Sequence, residues 1–446
     1  MKSQGWKCIL ADRCLFVLYD EKPNSPTLGQ IVGIAGLHVD DFLVGGIEEH
    51  PRLAKAFADL QSTYNWGKWQ SDQFEFAGCH ITQLPDSSIR IDQEDYVTKW
   101  VDEIQLPKDR MTQTSSALTP REISMLRGAI GSLSWKSAQT GPHFQAEACL
   151  LLSEVPHATI STIVKVTMLI REVKREASQS LLFPAWGVEW HKMAIVTWCD
   201  AGEKNRPDES STLGHITGIA PAGFLQGEPH VVAILNWKSG KTPRQCLGSN
   251  GAEVQATTEG EDITFKVRAM WAELHGVQLR RATLYEQVRD AVQGAIVMDS
   301  RGIFDAMSRN ISSLHGLRSS RSGYELMLSV QQAVKVSTAF RWVNGLAQLA
   351  DCLTKSNERK MFLQFLVQGQ TWRLVHDDTF TAGKKLRKQE LERSLQKREE
   401  WFIGEVRKLA KANKWPWIEL DELRNKGDEL TDHIALTPNQ EYPLQE

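Results

Sequence analysis

The chain has 446 residues, of which 41% are hydrophobic and 24% charged, and its formal net charge is −3. This length accommodates about two to four domains, and the weak negative charge argues against a free-standing basic nucleic-acid binder. No apolar run approaches the roughly 20 residues that cross a bilayer, and the N-terminal residues lack the apolar segment of a signal peptide. Seven scattered cysteines, without a close Cys-x-x-Cys pair, favour reduced thiols in an intracellular, non-secreted protein.

The first notable feature is an acidic pair between two apolar segments. The apolar run Ile31–Leu37 leads into Asp40 and Asp41, which Phe-Leu-Val-Gly-Gly follows. This pattern predicts a β-hairpin with the acidic pair at its tip. Adjacent strand residues point to opposite faces, so the two carboxylates can share a metal only at a bend. Taken alone, the pair is more typical of a solvated acidic turn.

The hairpin sequence resembles the catalytic hairpin of reverse transcriptases, and the residues after it resemble copia-type LTR retrotransposon Pol polyproteins. The segment Ser88–Trp100, with Tyr96, is similar to the primer-grip region of that family. The resemblance implies that residues 1–105 are the C-terminal half of a truncated palm domain, with Asp40 and Asp41 as a remnant of the polymerase motif. The upstream catalytic aspartate and the fingers are missing, so polymerase activity is not expected from this chain alone.

Residues 106–190 are predicted to form a helical region. Thr119, Pro120 and Glu122 provide an N-cap, a first-turn proline and a capping box. The region resembles the thumb and connection segment of the same family. Its usual Thr-Arg-Pro-Asp ending is replaced here by Thr-Gly-Pro-His at residues 140–143.

Residues 191–357 contain four acidic residues on separate predicted elements. Asp200 ends an apolar strand, Glu253 lies in the first turn of a helix capped by Ser249 or Asn250, and Asp299 ends a second strand. Asp351 lies on a predicted helix over Leu346–Lys355. If they converge at one sheet edge, these carboxylates can hold two Mg²⁺ ions. Each one alone is more typical of an ordinary charge at the end of a strand or helix.

Short motifs around these residues resemble the RNase H domain of copia-type elements. They are Asp200-Ala201, Trp237-Lys238-Ser239, Ala252-Glu253, Asp299-Ser300 and Ala350-Asp351-Cys352-Leu353-Thr354-Lys355. The resemblance implies an RNase H-like domain in which Asp200, Glu253, Asp299 and Asp351 are the catalytic metal ligands. It also implies two Mg²⁺ ions, with Mn²⁺ as an alternative, and cleavage of the RNA strand of RNA–DNA hybrids. Asn250-Gly251 and Trp342 depart from the family pattern, which often has Thr-Glu and a histidine there.

Residues 358–446 are predicted to be a charged tail, helical over Lys384–Lys411 and disordered from Asn425. The whole chain is therefore expected to be a multidomain α+β and α/β protein: a partial palm, a helical thumb or connection, an RNase H-like mixed-sheet domain and the tail. Two alternatives remain open, a catalytically inactive remnant and a module that binds nucleic acid or a protein partner. An upstream fragment of the polyprotein is a candidate partner, and the oligomeric state is undetermined.

Overall fold

The computed structural model describes residues 1–308 and 317–374, together with Gly404, Arg407, Lys408 and Lys411. Apart from those four residues, the predicted tail helix over Lys384–Lys411 and the stretch from Asn425 lie outside the described residues. All seven cysteines are free thiols. No helix within the described ranges is long and apolar enough to cross a membrane.

The N-terminal residues form an antiparallel sheet covered by one helix. Its four strands follow chain order: β1 Lys7–Cys8, β2 Leu15–Tyr19, β3 Ile31–His38 and β4 Asp41–Gly46. Helix α1, Pro51–Thr63, buries Leu53, Ala56 and Leu60 against this sheet because these residues recur at helical spacing. The predicted hairpin is confirmed, since β3 pairs with β4. His38 is opposite Asp41, so Asp40 lies in the two-residue turn and Asp41 begins β4.

A second antiparallel sheet combines residues from two distant parts of the chain. It consists of β5 Gln73–Phe76, β6 Cys79–Gln83, β7 Ile89–Asp92 and β8 Leu181–Phe183, in that order. Strand β8 pairs with β7 although it follows the whole helical region. The predicted boundary at residue 105 therefore separates strands that share a sheet.

The helical region between β7 and β8 packs around its own apolar core. Its helices are α2 Glu94–Trp100, α3 Lys108–Met111, α4 Pro120–Gln139, α5 Gln145–Glu154 and α6 Ile160–Arg175. The core includes Leu126, Ile130 and Ile163. The predicted capping box at the start of α4 is confirmed: the Thr119 N–H donates to Glu122 at 2.7 Å, and the Glu122 N–H donates to Thr119 Oγ1 at 3.3 Å.

A mixed five-stranded sheet forms the centre of the C-terminal half. Its strands are β9 Met193–Gly202, β10 Thr212–Pro221, β12 Ala233–Lys241, β13 Gln293–Met298 and β14 Thr338–Trp342. Their order is β12-β10-β9-β13-β14. Strands β9, β10 and β12 pair antiparallel, whereas β13 runs parallel to both β9 and β14. The carboxyl ends of β9 and β13 therefore lie at the same edge of the sheet.

Both faces of this sheet are covered, which explains why every residue of β9 is buried. One face packs against helices α7 Ser249–Leu274, α9 Arg301–Ser308 and α10 Ser320–Lys335, and helix α8 Leu284–Ala291 packs on α7 and α10. The other face packs against helix α11, Lys360–Val367, through Phe362 and Phe365, and against Leu349, which precedes that helix. A two-stranded sheet, β11 His230–Val231 with β15 Thr371–Trp372, completes the described structure.

Candidate metal centre

Asp200 lies within the central strand of the mixed sheet, two residues before its end. Side chains alternate along a strand, so Asp200 points to the same face as Trp198, towards the chain around Asp351. Its side chain is 1% exposed. Asp200 Oδ2 accepts a hydrogen bond from Thr354 Oγ1 and lies 3.4 Å from the Lys355 ammonium. A buried carboxylate with these partners is held in one position.

Glu253 is on helix α7, which crosses the sheet next to Asp200. The helix begins at Ser249 with Gly248 as its N-cap, and Gly248 has a φ of 97° that favours glycine. The predicted cap at Ser249 or Asn250 is therefore wrong, and Glu253 lies in the second turn rather than the first. The positive end of the helix dipole acts mainly within the first turn, so it contributes little at Glu253.

Close packing of α7 on β9 brings Glu253 towards Asp200. At Gly260 an added Cβ would lie 2.0 Å from Cys199 Sγ, the residue preceding Asp200. Only glycine permits this approach, because any side chain at residue 260 would push the helix away from the strand. The helix carrying Glu253 and the strand carrying Asp200 are thereby fixed relative to each other.

Asp299 directly follows strand β13, at the sheet edge shared with the end of β9. The backbone carbonyl of Asp299 accepts a hydrogen bond from Trp342 Nε1 at 2.9 Å. Trp342, which departs from the family pattern described above, thus positions the Asp299 backbone.

Asp351 lies in a short 3-10 segment, Leu349–Leu353, and a second such segment covers Gly345–Ala347. The predicted α-helix over Leu346–Lys355 is therefore wrong. Gln348 explains the irregular chain: its side chain accepts from the Ala350 N–H at 3.3 Å and donates to the Cys199 carbonyl at 2.9 Å. This bridge attaches the segment carrying Asp351 to the strand carrying Asp200.

Three of the four predicted ligands meet within metal-binding reach. Asp200, Glu253 and Asp299 each offer one carboxylate oxygen, and these oxygens lie within 4.8 Å of one another. Asp351 is outside this group of three, and its Oδ1 accepts from the Lys355 ammonium. Hard carboxylate oxygens converging from a strand, a helix and a strand end are the donor set that Mg²⁺ and Mn²⁺ favour. The residues therefore fit a divalent cation.

The electrostatics of the cluster also fit a cation. Burial raises the pKa of Glu253 well above its ordinary value, and repulsion from Asp200 and Asp299 adds to the effect. Burial, followed by repulsion from Asp200, raises the pKa of Asp299 and of Asp351 as well. Burial alone would lower the pKa of Lys355, but Asp200 and Asp351 reverse this and raise it. The site thus holds more negative charge than one lysine neutralises.

Asp40 and Asp41 do not take part in this arrangement. Both are exposed on the N-terminal hairpin. Among the described residues, the group of three acidic side chains within reach of one ion is the one at Asp200, Glu253 and Asp299.

Comparison with known proteins gives little further identification. No family model matches the chain, and no curated protein matches it. Among solved structures, the N-terminal RNase H domain of a Mycobacterium tuberculosis protein, solved as a fusion with maltose-binding protein, matches with a TM-score of 0.24 and 19% identity. The match covers 36% of this chain and 91% of that chain. What the carboxylates can do chemically follows from their own geometry.

Two functional features were missed by reasoning from sequence. Gln348 and Lys355 belong to the stretch that suggested the terminal motif, but no role was predicted for either. Lys355 follows Asp351 by four residues, a spacing at which opposite charges commonly pair on a helix. The hydrogen bond from the Gln348 side chain to the Cys199 carbonyl has no comparable pattern in the nearby sequence, because 149 residues separate the two partners.

Proposed function

We propose that residues 191–357 form an RNase H-type nuclease domain that hydrolyses the RNA strand of RNA–DNA hybrids. The observation that supports this most strongly is the convergence of Asp200, Glu253 and Asp299 to within 4.8 Å. Two bound Mg²⁺ ions, or Mn²⁺ in their place, would supply an activated water and stabilise the leaving 3′-oxygen of the phosphodiester.

The protein's own residues hold the carboxylates in place before any cation binds. Thr354 orients Asp200 through a hydrogen bond, Trp342 fixes the Asp299 backbone, and Gln348 attaches the segment that carries Asp351. A ligand set held by packing and hydrogen bonds loses little conformational entropy when it binds an ion. We assign Asp200, Glu253 and Asp299 as the primary ligands and Asp351 as the fourth.

We further propose that the N-terminal part derives from the reverse transcriptase of a copia-type LTR retrotransposon. In this proposal residues 1–105 are a palm remnant, residues 106–190 are a thumb or connection, and both serve to hold the hybrid. The support is the confirmed hairpin at Asp40, followed by the order of α1 and the second sheet. Asp40 and Asp41 belong to no group of three acidic side chains within the described residues, so we expect no primer extension by this chain.

The test is cleavage of an end-labelled RNA–DNA hybrid by the purified chain in Mg²⁺. We expect the RNA strand to be cut and the DNA strand to remain intact, with loss of cutting in Asp299→Asn. The matched control is Asp290→Asn, because Asp290 is an exposed aspartate of the same domain that pairs only with its neighbour Arg289 among the contacts described. This control should retain the wild-type rate.

The opposite result would have a defined meaning. If the chain shows a folded circular dichroism spectrum and cuts neither the hybrid nor single-stranded RNA, the nuclease proposal is wrong. The four carboxylates would then be inherited without activity, and the inactive remnant or a binding module would be the better account.

A further inference from the structure

One lysine occupies a position inside the acidic cluster. The Lys355 ammonium contacts Asp351 Oδ1 and lies 3.4 Å from Asp200 Oδ2. It therefore bridges two of the four carboxylates that the proposed function assigns to metal ions. The inference drawn from this contact rests on that proposed function.

The contacts divide the cluster into two unequal halves. On one side, Asp200, Glu253 and Asp299 bring three oxygens together, and no ammonium pairs with Glu253 or Asp299 in the contacts described. On the other side, between Asp200 and Asp351, a positive charge is already present on Lys355. A first divalent cation fits the three-carboxylate half without displacing anything, whereas a second cation meets the ammonium.

We propose that Lys355 is a built-in counter-ion that must move out before a second divalent cation binds between Asp200 and Asp351. The lysine thereby makes the two metal sites unequal and sets the concentration at which the second is filled. Lys355 is a positioning residue in this account, because it acts through the carboxylates and not on the substrate.

The local structure allows such a movement without unfolding. The side chain of Lys355 is 39% exposed, so the ammonium has a path to solvent. The backbone of Lys355 stays anchored, since its N–H donates to the Asp351 carbonyl at 3.0 Å. Rotation of the flexible four-carbon side chain is enough to release both carboxylates.

A purely structural ion pair would behave differently when cations bind. If Lys355 only stabilises the fold, its ammonium keeps its contacts with Asp200 and Asp351 in the presence of the cation. If Lys355 is displaced by a second cation, its ammonium becomes exposed, and removing its charge strengthens binding at that place. The affinity of the second site and the exposure of the ammonium together distinguish these two roles.

The first experiment is calorimetric titration of Mn²⁺ into the full chain and into Lys355→Met, which keeps the apolar stem and removes the charge. We expect the wild type to bind one ion well and a second weakly. In Lys355→Met the second affinity should rise about tenfold or more, since a unit charge within contact distance is removed. Lys165→Met is the matched control, because Lys165 pairs with Glu154 at 2.9 Å outside the carboxylate cluster; its two affinities should equal those of the wild type.

A second measurement uses the unaltered chain and does not depend on a variant that folds. Amine-reactive labelling followed by mass spectrometry gives the reaction rate of Lys355 with and without saturating Mg²⁺. We expect the cation to accelerate labelling of Lys355 several-fold and to leave Lys165 unchanged.

Each outcome decides a separate point. An unchanged or lower second affinity in Lys355→Met, or an unchanged labelling rate of Lys355 in a chain that binds two ions, would overturn the counter-ion role and leave the proposed nuclease intact. If neither folded protein binds Mn²⁺ at all, the metal site itself is wrong, and the counter-ion role and the proposed nuclease are rejected together.

Discussion

The molecule contains two acidic motifs, and they differ in how the chain presents them. Asp40 and Asp41 are adjacent in sequence and exposed on a hairpin. Asp200, Glu253 and Asp299 are far apart in sequence, yet their oxygens lie within 4.8 Å. Neighbouring strand residues diverge, whereas residues at the ends of adjacent parallel strands converge. Two acidic residues that are adjacent in sequence therefore indicate a shared metal ion less well than acidic residues at the ends of neighbouring parallel strands.

The surroundings of the two motifs differ as much as their spacing. The hairpin carboxylates are in contact with solvent, which screens their mutual repulsion. In the cluster, Asp200 is buried and Glu253 and Asp299 are half-buried. Desolvation, with repulsion from Asp200 and Asp299, raises the pKa of Glu253. Buried repulsion of this kind is relieved by a cation.

The sharpest way to break this comparison is to neutralise each motif in turn. We expect Asp200→Asn to reduce hybrid cleavage by on the order of 100-fold or more, because a central ligand of both proposed cations is lost. The double variant Asp40→Asn with Asp41→Asn should cleave within about twofold of the wild type, since these exposed side chains are not among the proposed ligands. Initial rates on a labelled hybrid measure both. A large loss in the hairpin variant would show that the Asp40 or Asp41 carboxylate itself takes part in cleavage, and would contradict the assignment of the chemistry to the cluster.

Next in size is the pH dependence of stability without metal. Glu253, Asp299 and Asp351 have a pKa in the folded protein above the ordinary carboxyl value. The folded state therefore keeps protons that the unfolded chain has released above about pH 4, so the free energy of unfolding falls as pH rises from there through neutrality. Each such proton contributes a slope of up to about 1.4 kcal/mol per pH unit. Urea unfolding between pH 5 and pH 8 in a chelator measures this slope.

Magnesium should flatten that dependence. A cation that replaces the protons stabilises the folded state most at pH 8, where the carboxylates are ionised and repel one another most strongly. In Mg²⁺, the free energies of unfolding measured by urea between pH 5 and pH 8 should therefore differ less than they do in a chelator. Equal slopes with and without Mg²⁺ would contradict a cation site in the cluster.

The sequence predicted strands β9 and β13, because an apolar run that ends in aspartate is a local signal. It failed where a distant contact decides the local conformation. Asp351 lies in a 3-10 segment and not in a helix, because Gln348 is attached to the Cys199 carbonyl of another strand. The predicted cap of α7 was wrong because Gly248, with a positive φ, is the N-cap. The helix therefore begins at Ser249, earlier than a cap at Ser249 or Asn250 would allow.

Strand β8 illustrates the same limit for domain boundaries. Three residues, Leu181–Phe183, carry no periodic pattern that would indicate their partner. They complete a sheet whose other strands lie before the helical region, and pairing at that separation leaves no trace in local sequence. The predicted boundary at residue 105 therefore failed because the partner of β7 is distant in sequence.

A smaller effect separates burial from clustering as the cause of a raised pKa. Glu261 is on α7 but outside the cluster, and it is 4% exposed. Burial, with a contribution from Asp262, raises its pKa to about 7. The folded state keeps the proton on Glu261 while the unfolded chain loses it above about pH 4.5, so this residue destabilises the protein increasingly as pH rises to about 7.

The corresponding variant is Glu261→Gln, which cannot ionise. We expect it to be more stable than the wild type by about 1–3 kcal/mol at pH 8 and nearly equal at pH 5. Urea unfolding at the two pH values measures the difference, and Mg²⁺ should not change it because Glu261 is not a proposed ligand. An equal gain at both pH values would mean that side-chain packing, rather than ionisation, causes the effect.

The smallest expected effect concerns the hairpin turn itself. Val39 has a φ of 55°, a conformation that a β-branched side chain adopts only with strain, and it is 85% exposed. Val39→Gly should therefore stabilise the protein by about 1 kcal/mol, because glycine is the preferred residue at the positive-φ position of a two-residue hairpin turn. Thermal unfolding measures the gain, and cleavage of the hybrid should not change. A less stable variant would contradict this prediction. It would show that the Val39 side chain stabilises the turn by more than its backbone strain costs.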